Sequence, residues 1–160
     1  MATQAIEKMR YSCGPRKVKY YEEDASETFK KGELVYLDSD GQLVVCSSDA
    51  TTILGMALTD ATGTAGTKIP VLIAQDGTEF EANVYHATAA SAVTEWGEVD
   101  NKYAYYATGN IGYVDIGDTD NDALLITEIL TGGGKSEGDT YGRVRFVVIP
   151  AAQQMGATAT

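Results

Sequence analysis

The strongest chemical signal in the sequence is Gly132-Gly133-Gly134-Lys135-Ser136, which ends like a loop whose backbone amides cradle phosphates beside a lysine. Such a loop needs a further glycine five residues before its Gly-Lys-Ser. Ile129 occupies that position, so a hairpin loop is expected instead. Asp118, Asp120 and Asp122 alternate as the opening of a calcium loop does, where the oxygens are followed by a glycine bend and a closing glutamate. Here the bend position is Ala123, the closing position is Ile129, and Glu128 lies one place off. That argues against an EF-hand and leaves either a looser cation site or a solvated acidic turn. His86 is the single histidine, so histidine-based zinc clusters are excluded, and nothing in the sequence brings it to Cys13 or Cys46 as a nucleophile pair. No serine stands in a Gly-x-Ser-x-Gly elbow. With 23 acidic residues in the chain, the mere presence of carboxylate pairs selects no hydrolytic chemistry. The expectation is a protein without catalytic residues, metal or cofactor.

What remains is recognition through charge and aromatic rings. Residues 1–31 carry seven basic against five acidic side chains, residues 32–134 two against sixteen, and the whole chain has a formal charge of -11. The acidic body repels phosphates, which argues against nucleic acid as a partner. The basic leader gathers Lys8, Arg10, Arg16, Lys17 and Lys19 beside Tyr11, Tyr20 and Tyr21. Consecutive aromatics at Tyr20-Tyr21 and Tyr105-Tyr106 alternate between strand faces, so at least one of each pair is expected to point outward. Exposed aromatics and arginines are favoured at protein interfaces. Lys8, Arg10, Tyr11, Arg16, Lys17, Lys19, Tyr20, Tyr21, Trp96, Tyr105 and Tyr106 are therefore the candidate partner-binding residues.

The elements that must position them are strands. Leu34–Leu37 and Gln42–Cys46 flank the turn Asp38-Ser39-Asp40-Gly41, a hairpin signal. Further short apolar runs follow over 53–58, 69–73, 79–85, 103–106, 111–114, 123–127 and 144–149, separated by Gly, Asp and Thr. Only the alanine-rich stretch 87–93 invites a turn or two of helix. This succession predicts an all-β protein, a small barrel or sandwich of short antiparallel strands. It divides into an extended N-terminal arm over 1–28, a β domain over 29–150 and a flexible C-terminal tail over 151–160. The first ten residues hold no apolar export segment, so production in the cytosol with free thiols at Cys13 and Cys46 is expected. No window approaches the roughly 20 apolar residues of a membrane-spanning helix.

The ordered residues also carry a resemblance. Phe29-Lys30-Lys31-Gly32-Glu33-Leu34-Val35-Tyr36-Leu37, the turn Asp40-Gly41, Ile53-Leu54-Gly55-Met56-Ala57, Gly66–Ile73 and Glu79-Phe80-Glu81-Ala82 together resemble the small decoration, or cement, proteins of tailed-bacteriophage capsids. The likeness spans roughly residues 20 to 115 and rests on degenerate hairpin patterns. The resemblance implies a compact β-barrel on the outside of the head shell, often a trimer at local three-fold positions, with the major capsid protein as partner and the virion as location. The long basic leader and the Ala/Thr/Gln tail lie outside the pattern. Two other functions compete with it. One is a carbohydrate- or ligand-binding β-sandwich in which Trp96, Tyr105 or Tyr106 stacks on sugar rings; the other is a carboxylate hydrolase, which no local motif supports.

Overall fold

The computed structural model describes residues 3–130 and 138–155, with the side chain of Trp96 outside that description. Eleven strands follow one another: β1 (Arg10–Cys13), β2 (Val18–Glu22), β3 (Leu34–Leu37), β4 (Leu43–Val45), β5 (Gly55–Ala57), β6 (Lys68–Ile73), β7 (Glu79–Tyr85), β8 (Lys102–Thr108), β9 (Ile111–Asp115), β10 (Leu124–Ile129) and β11 (Arg143–Val148). The all-β expectation holds, and the alanine-rich stretch supplies a single 3-10 turn at Ala89–Ser91.

The strands form two sheets. In the first, β7, β11, β10, β8 and β9 pair in succession, and β9 returns to pair in parallel with the end of β7, closing a five-stranded barrel. The β8–β9 hairpin turns on Gly109 and Asn110 alone, both at positive φ, the pairing of dihedrals that matches the twist of the strands it joins. The second sheet runs β2-β6-β5-β3-β4, and its two outer strands meet through a bridge between Glu23 and Leu43.

Period-two alternation explains how the sheets share their cores. In the second sheet Val35, Leu54, Val71 and Ile73 turn inward with Phe29 and Leu43 to form an apolar core of its own. Their neighbours Leu34, Met56 and Leu72 point the other way, into the barrel core around Phe80, Tyr105, Val114, Leu124 and Phe146. Strands β5 and β6 are thus buried on both faces, which is why they lack a polar stripe.

Within the extended N-terminal arm expected over 1–28, two segments are strands of the sheets. β1 pairs antiparallel with the first half of β7, along the edge that β9 takes up further on, and β2 pairs along the whole of β6. Met9 is buried in the barrel core, within reach of β9, where a Cβ on Gly112 would sit 3.1 Å from the Met9 methyl. The physical reason is tertiary: short polar strands with little alternation of their own are held by ladder bonds to neighbours that are already apolar. The tail is likewise held by the fold, at least over residues 151–155. A 3-10 turn at Pro150–Ala152 is followed by Gln153, buried and bridged to Ile53, and the Ile53 N–H donates to the Ala152 carbonyl at 2.8 Å. Residues 156–160 lie outside the described part.

Candidate functional site

Three clusters of functional side chains stand on this frame. The first is the leader. Arg143, on β11, is buried and forms its anchor: the guanidinium donates to the carbonyl oxygens of Glu7 (3.3 Å), Lys8 (2.7 Å) and Glu81 (3.2 Å) and to Asn83 Oδ1 (2.9 Å). Arg10 and Arg143 both contact the Glu81 carboxylate. Burial pushes that carboxyl up, yet the two arginines outweigh it and hold Glu81 below the usual carboxylate range. Arg145 reaches Glu128 and donates to Ser12 Oγ at 2.7 Å. These groups line an open groove of about 410 Å³ whose charges are neutralised within it, a structural network rather than an anion site.

Outside that network the leader keeps its expected face. Lys8, Arg10, Arg16 and Lys17 are exposed, Lys19 is half-buried, and Tyr20 is 64% exposed, the most exposed of the large hydrophobic side chains in the described residues. The Arg16 guanidinium carbon sits 5.9 Å from the Tyr11 ring centroid, and the Tyr11 hydroxyl donates to the Gly14 carbonyl at 2.5 Å. Tyr21 does not belong to the face: it leans on the inner core of the second sheet.

The second cluster is aromatic and lies on the outer wall of the barrel. Tyr85 on β7 and Tyr106 on β8 meet across β9 with ring centroids 3.8 Å apart and planes 8° from parallel, above a nearly buried Tyr113. The hydrogen bond to Tyr106 comes first among the causes that push the Tyr85 phenol up to about 12. Tyr105, expected among the outward aromatics, instead fills the barrel: it is fully buried, and the Leu34 N–H points at its hydroxyl at 3.4 Å. Alternation is the reason, since inward Tyr105 is what places its neighbour Tyr106 outside. Trp96 lies outside the described side chains.

The third cluster is acidic. Asp118 Oδ1 accepts the Asp120 N–H at 2.9 Å, and a hydrogen bond to Asp118 raises the pKa of Asp49, which reaches it from the β4–β5 connection. No group of three or more His, Cys, Asp or Glu able to hold a metal occurs among the described residues, and Asp122 is half-buried with Oδ1 unpartnered.

The remaining sequence candidates separate. Cys13 Sγ donates to Glu79 Oε2 at 3.1 Å, Cys46 is buried with its thiol pushed up by desolvation, and His86 Nδ1 accepts the Thr88 N–H at 3.0 Å, so neither cysteine pairs with the imidazole. The stretch Gly132–Ser136 lies outside the described residues. Sequence reasoning missed Tyr85, Tyr113 and Asp115 as companions of Tyr106, because only the register of β7, β9 and β8 brings them together. Compared with models of known protein families and with curated proteins, the chain matches none.

Proposed function

We propose that the protein is a non-enzymatic structural protein that attaches to the outer surface of a tailed-phage capsid as a homo-oligomer, a trimer, and stabilises contacts between copies of the major capsid protein. The observation that carries this reading is the leader's outward face. Arg16, Lys17 and Tyr20 stand exposed on or beside strands whose backbones are fixed, so binding a partner there does not require ordering an arm first. Charge of one sign beside an exposed ring suits an acidic protein surface, where the cations speed encounter and the ring slows release.

The test is co-sedimentation with undecorated shells of the major capsid protein at low and moderate salt. Because removing the leader removes two strands, the variant is Arg16→Glu, Lys17→Glu, Lys19→Glu with Tyr20→Ala, first shown to keep the circular-dichroism spectrum of the parent. Occupancy at limiting concentration should fall at least about tenfold and the parent's binding should weaken with salt. Equal occupancy of the two proteins would move attachment away from the leader, and no sedimentation of either would sink the capsid reading.

A further inference from the structure

The aromatic cluster on the barrel wall has neighbours of a definite kind. Tyr85 and Asp115 are register partners, as are Tyr106 and Tyr113, so these four side chains share the outer face of β7, β9 and β8. Tyr85 and Tyr106 are half-exposed, and so is Asp115, one of whose oxygens accepts the Gly117 N–H at 3.0 Å. The His86 ring lies against Gly117, where a Cβ would come within 2.8 Å of its Cδ2 and 3.0 Å of its Nε2. Because His86 Nδ1 accepts a backbone N–H, the neutral imidazole carries its proton on Nε2, a donor beside the Asp115 acceptor.

We propose that Tyr85, Tyr106, Asp115 and His86 form a binding site for a neutral saccharide. A pyranose has an apolar C–H face that packs on an aromatic ring and vicinal hydroxyls that each donate and accept, which is what a carboxylate and an imidazole N–H side by side can satisfy. An anionic ligand is disfavoured by Asp115 and by Asp49 and Asp118 near it, none of which forms an ion pair with Lys or Arg among the described residues. A cation would be served by the rings and the carboxylate, but the imidazole N–H beside them offers it a donor where it needs a second acceptor. The site is separate from the leader and does not depend on attachment to a shell.

The experiment presents the full chain to immobilised gluco-, galacto- and manno-oligosaccharides, with sialylated and uronate-bearing oligosaccharides as the acidic arm and a poly-arginine peptide as the cationic one. Neutral glycans should be retained, and Tyr106→Ala should weaken retention about fivefold or more, with Asp115→Asn acting in the same direction. Tyr106→Phe keeps the ring and should stay within about twofold of the parent, which guards against a misfolded alanine variant. Asp40→Asn, in the exposed β3–β4 turn, should change nothing. Retention of no neutral glycan, retention that survives both Tyr106→Ala and Asp115→Asn, or selective capture of the acidic glycans or of the peptide would each overturn the proposal.

Discussion

Between Glu7 and Glu22 the chain is secured by ladder bonds to β7 and β6 and by one buried guanidinium, whereas Pro150–Met155 is secured by a turn, two side-chain amides and backbone bonds to Ile53. Gln154 imitates a strand: its Oε1 accepts the Leu37 N–H and its Nε2 donates to the Leu37 carbonyl, both at 2.8 Å. Gln153 Nε2 donates to Asp76 Oδ1 at 3.1 Å and to the Val148 carbonyl at 3.0 Å. The leader completes both cores and supplies buried apolar surface, while the tail mainly satisfies backbone groups at the end of β3. Loss of the first should therefore be global and loss of the second local.

The largest expected effect is that of a chain beginning at Glu22. Without Met9, β1 and nearly all of β2, it should lose its cooperative thermal transition by circular dichroism; a transition like that of the parent would mean that the leader is only appended. Next comes Arg143→Met, which strands the Glu7 and Lys8 carbonyls and Asn83 in a buried place and should cost about 3–5 kcal/mol by denaturant titration. At the other end, Gln154→Ala leaves only the Leu37 backbone groups without their partner and should cost about 1–2 kcal/mol, seen as a lower denaturant midpoint at unchanged slope. If Gln154→Ala proved as costly as Arg143→Met, the contrast between the ends would fail.

The smallest effect concerns pH. Burial pushes the Glu98 carboxyl from 4.5 up to about 7, against the pull of its hydrogen bond from the Glu95 N–H. The folded protein thus keeps a proton that the unfolded chain releases. Stability from this group is fully present below the unfolded value and is lost as pH rises to about 7, with no further loss above. Glu98→Gln should flatten that slope and add about 1 kcal/mol at alkaline pH, a discounted figure for a part-exposed carboxyl. The Gln154 side chain does not titrate and bonds only the Leu37 backbone, so the slope should be the same in Gln154→Ala, and a steeper slope there would tie the tail's clamp to the barrel's protonation. Arg143→Met should differ, because it removes one of the two arginines that hold the Glu81 carboxyl down against burial.

The strands from β3 onward were legible because most are short apolar or alternating runs set off by turn residues such as Asp38, Thr59, Gly109 and Gly117. β1 and β2 were not, because Arg10–Cys13 and Val18–Glu22 are polar enough to pass for a solvated arm, and their partners lie about 50 to 70 residues away. The hairpin partners of Tyr105 and Tyr106 follow from spacing, yet which ring faces inward depends on the barrel's closure through β7 and β9. The same closure hides the company of Tyr85, Tyr113 and Asp115 from any local pattern. Gln154 carried no signal at all, since a glutamine bonds wherever a backbone happens to be free.

The order of synthesis gives the leader's anchorage a temporal side. Thr3 bridges Thr140, and the guanidinium that grips Glu7 and Lys8 belongs to Arg143. On a ribosome adding roughly 5–20 residues per second, those partners emerge on the order of ten seconds after the segment they fix. Throughout that interval the nascent chain displays its cationic, tyrosine-bearing leader without β11 to lock it, while from about the midpoint, once Ile73 is made, the second sheet has all its strands in hand. The second sheet can therefore settle first and the barrel last, and β1, made before every other strand of its sheet, becomes that sheet's closing latch.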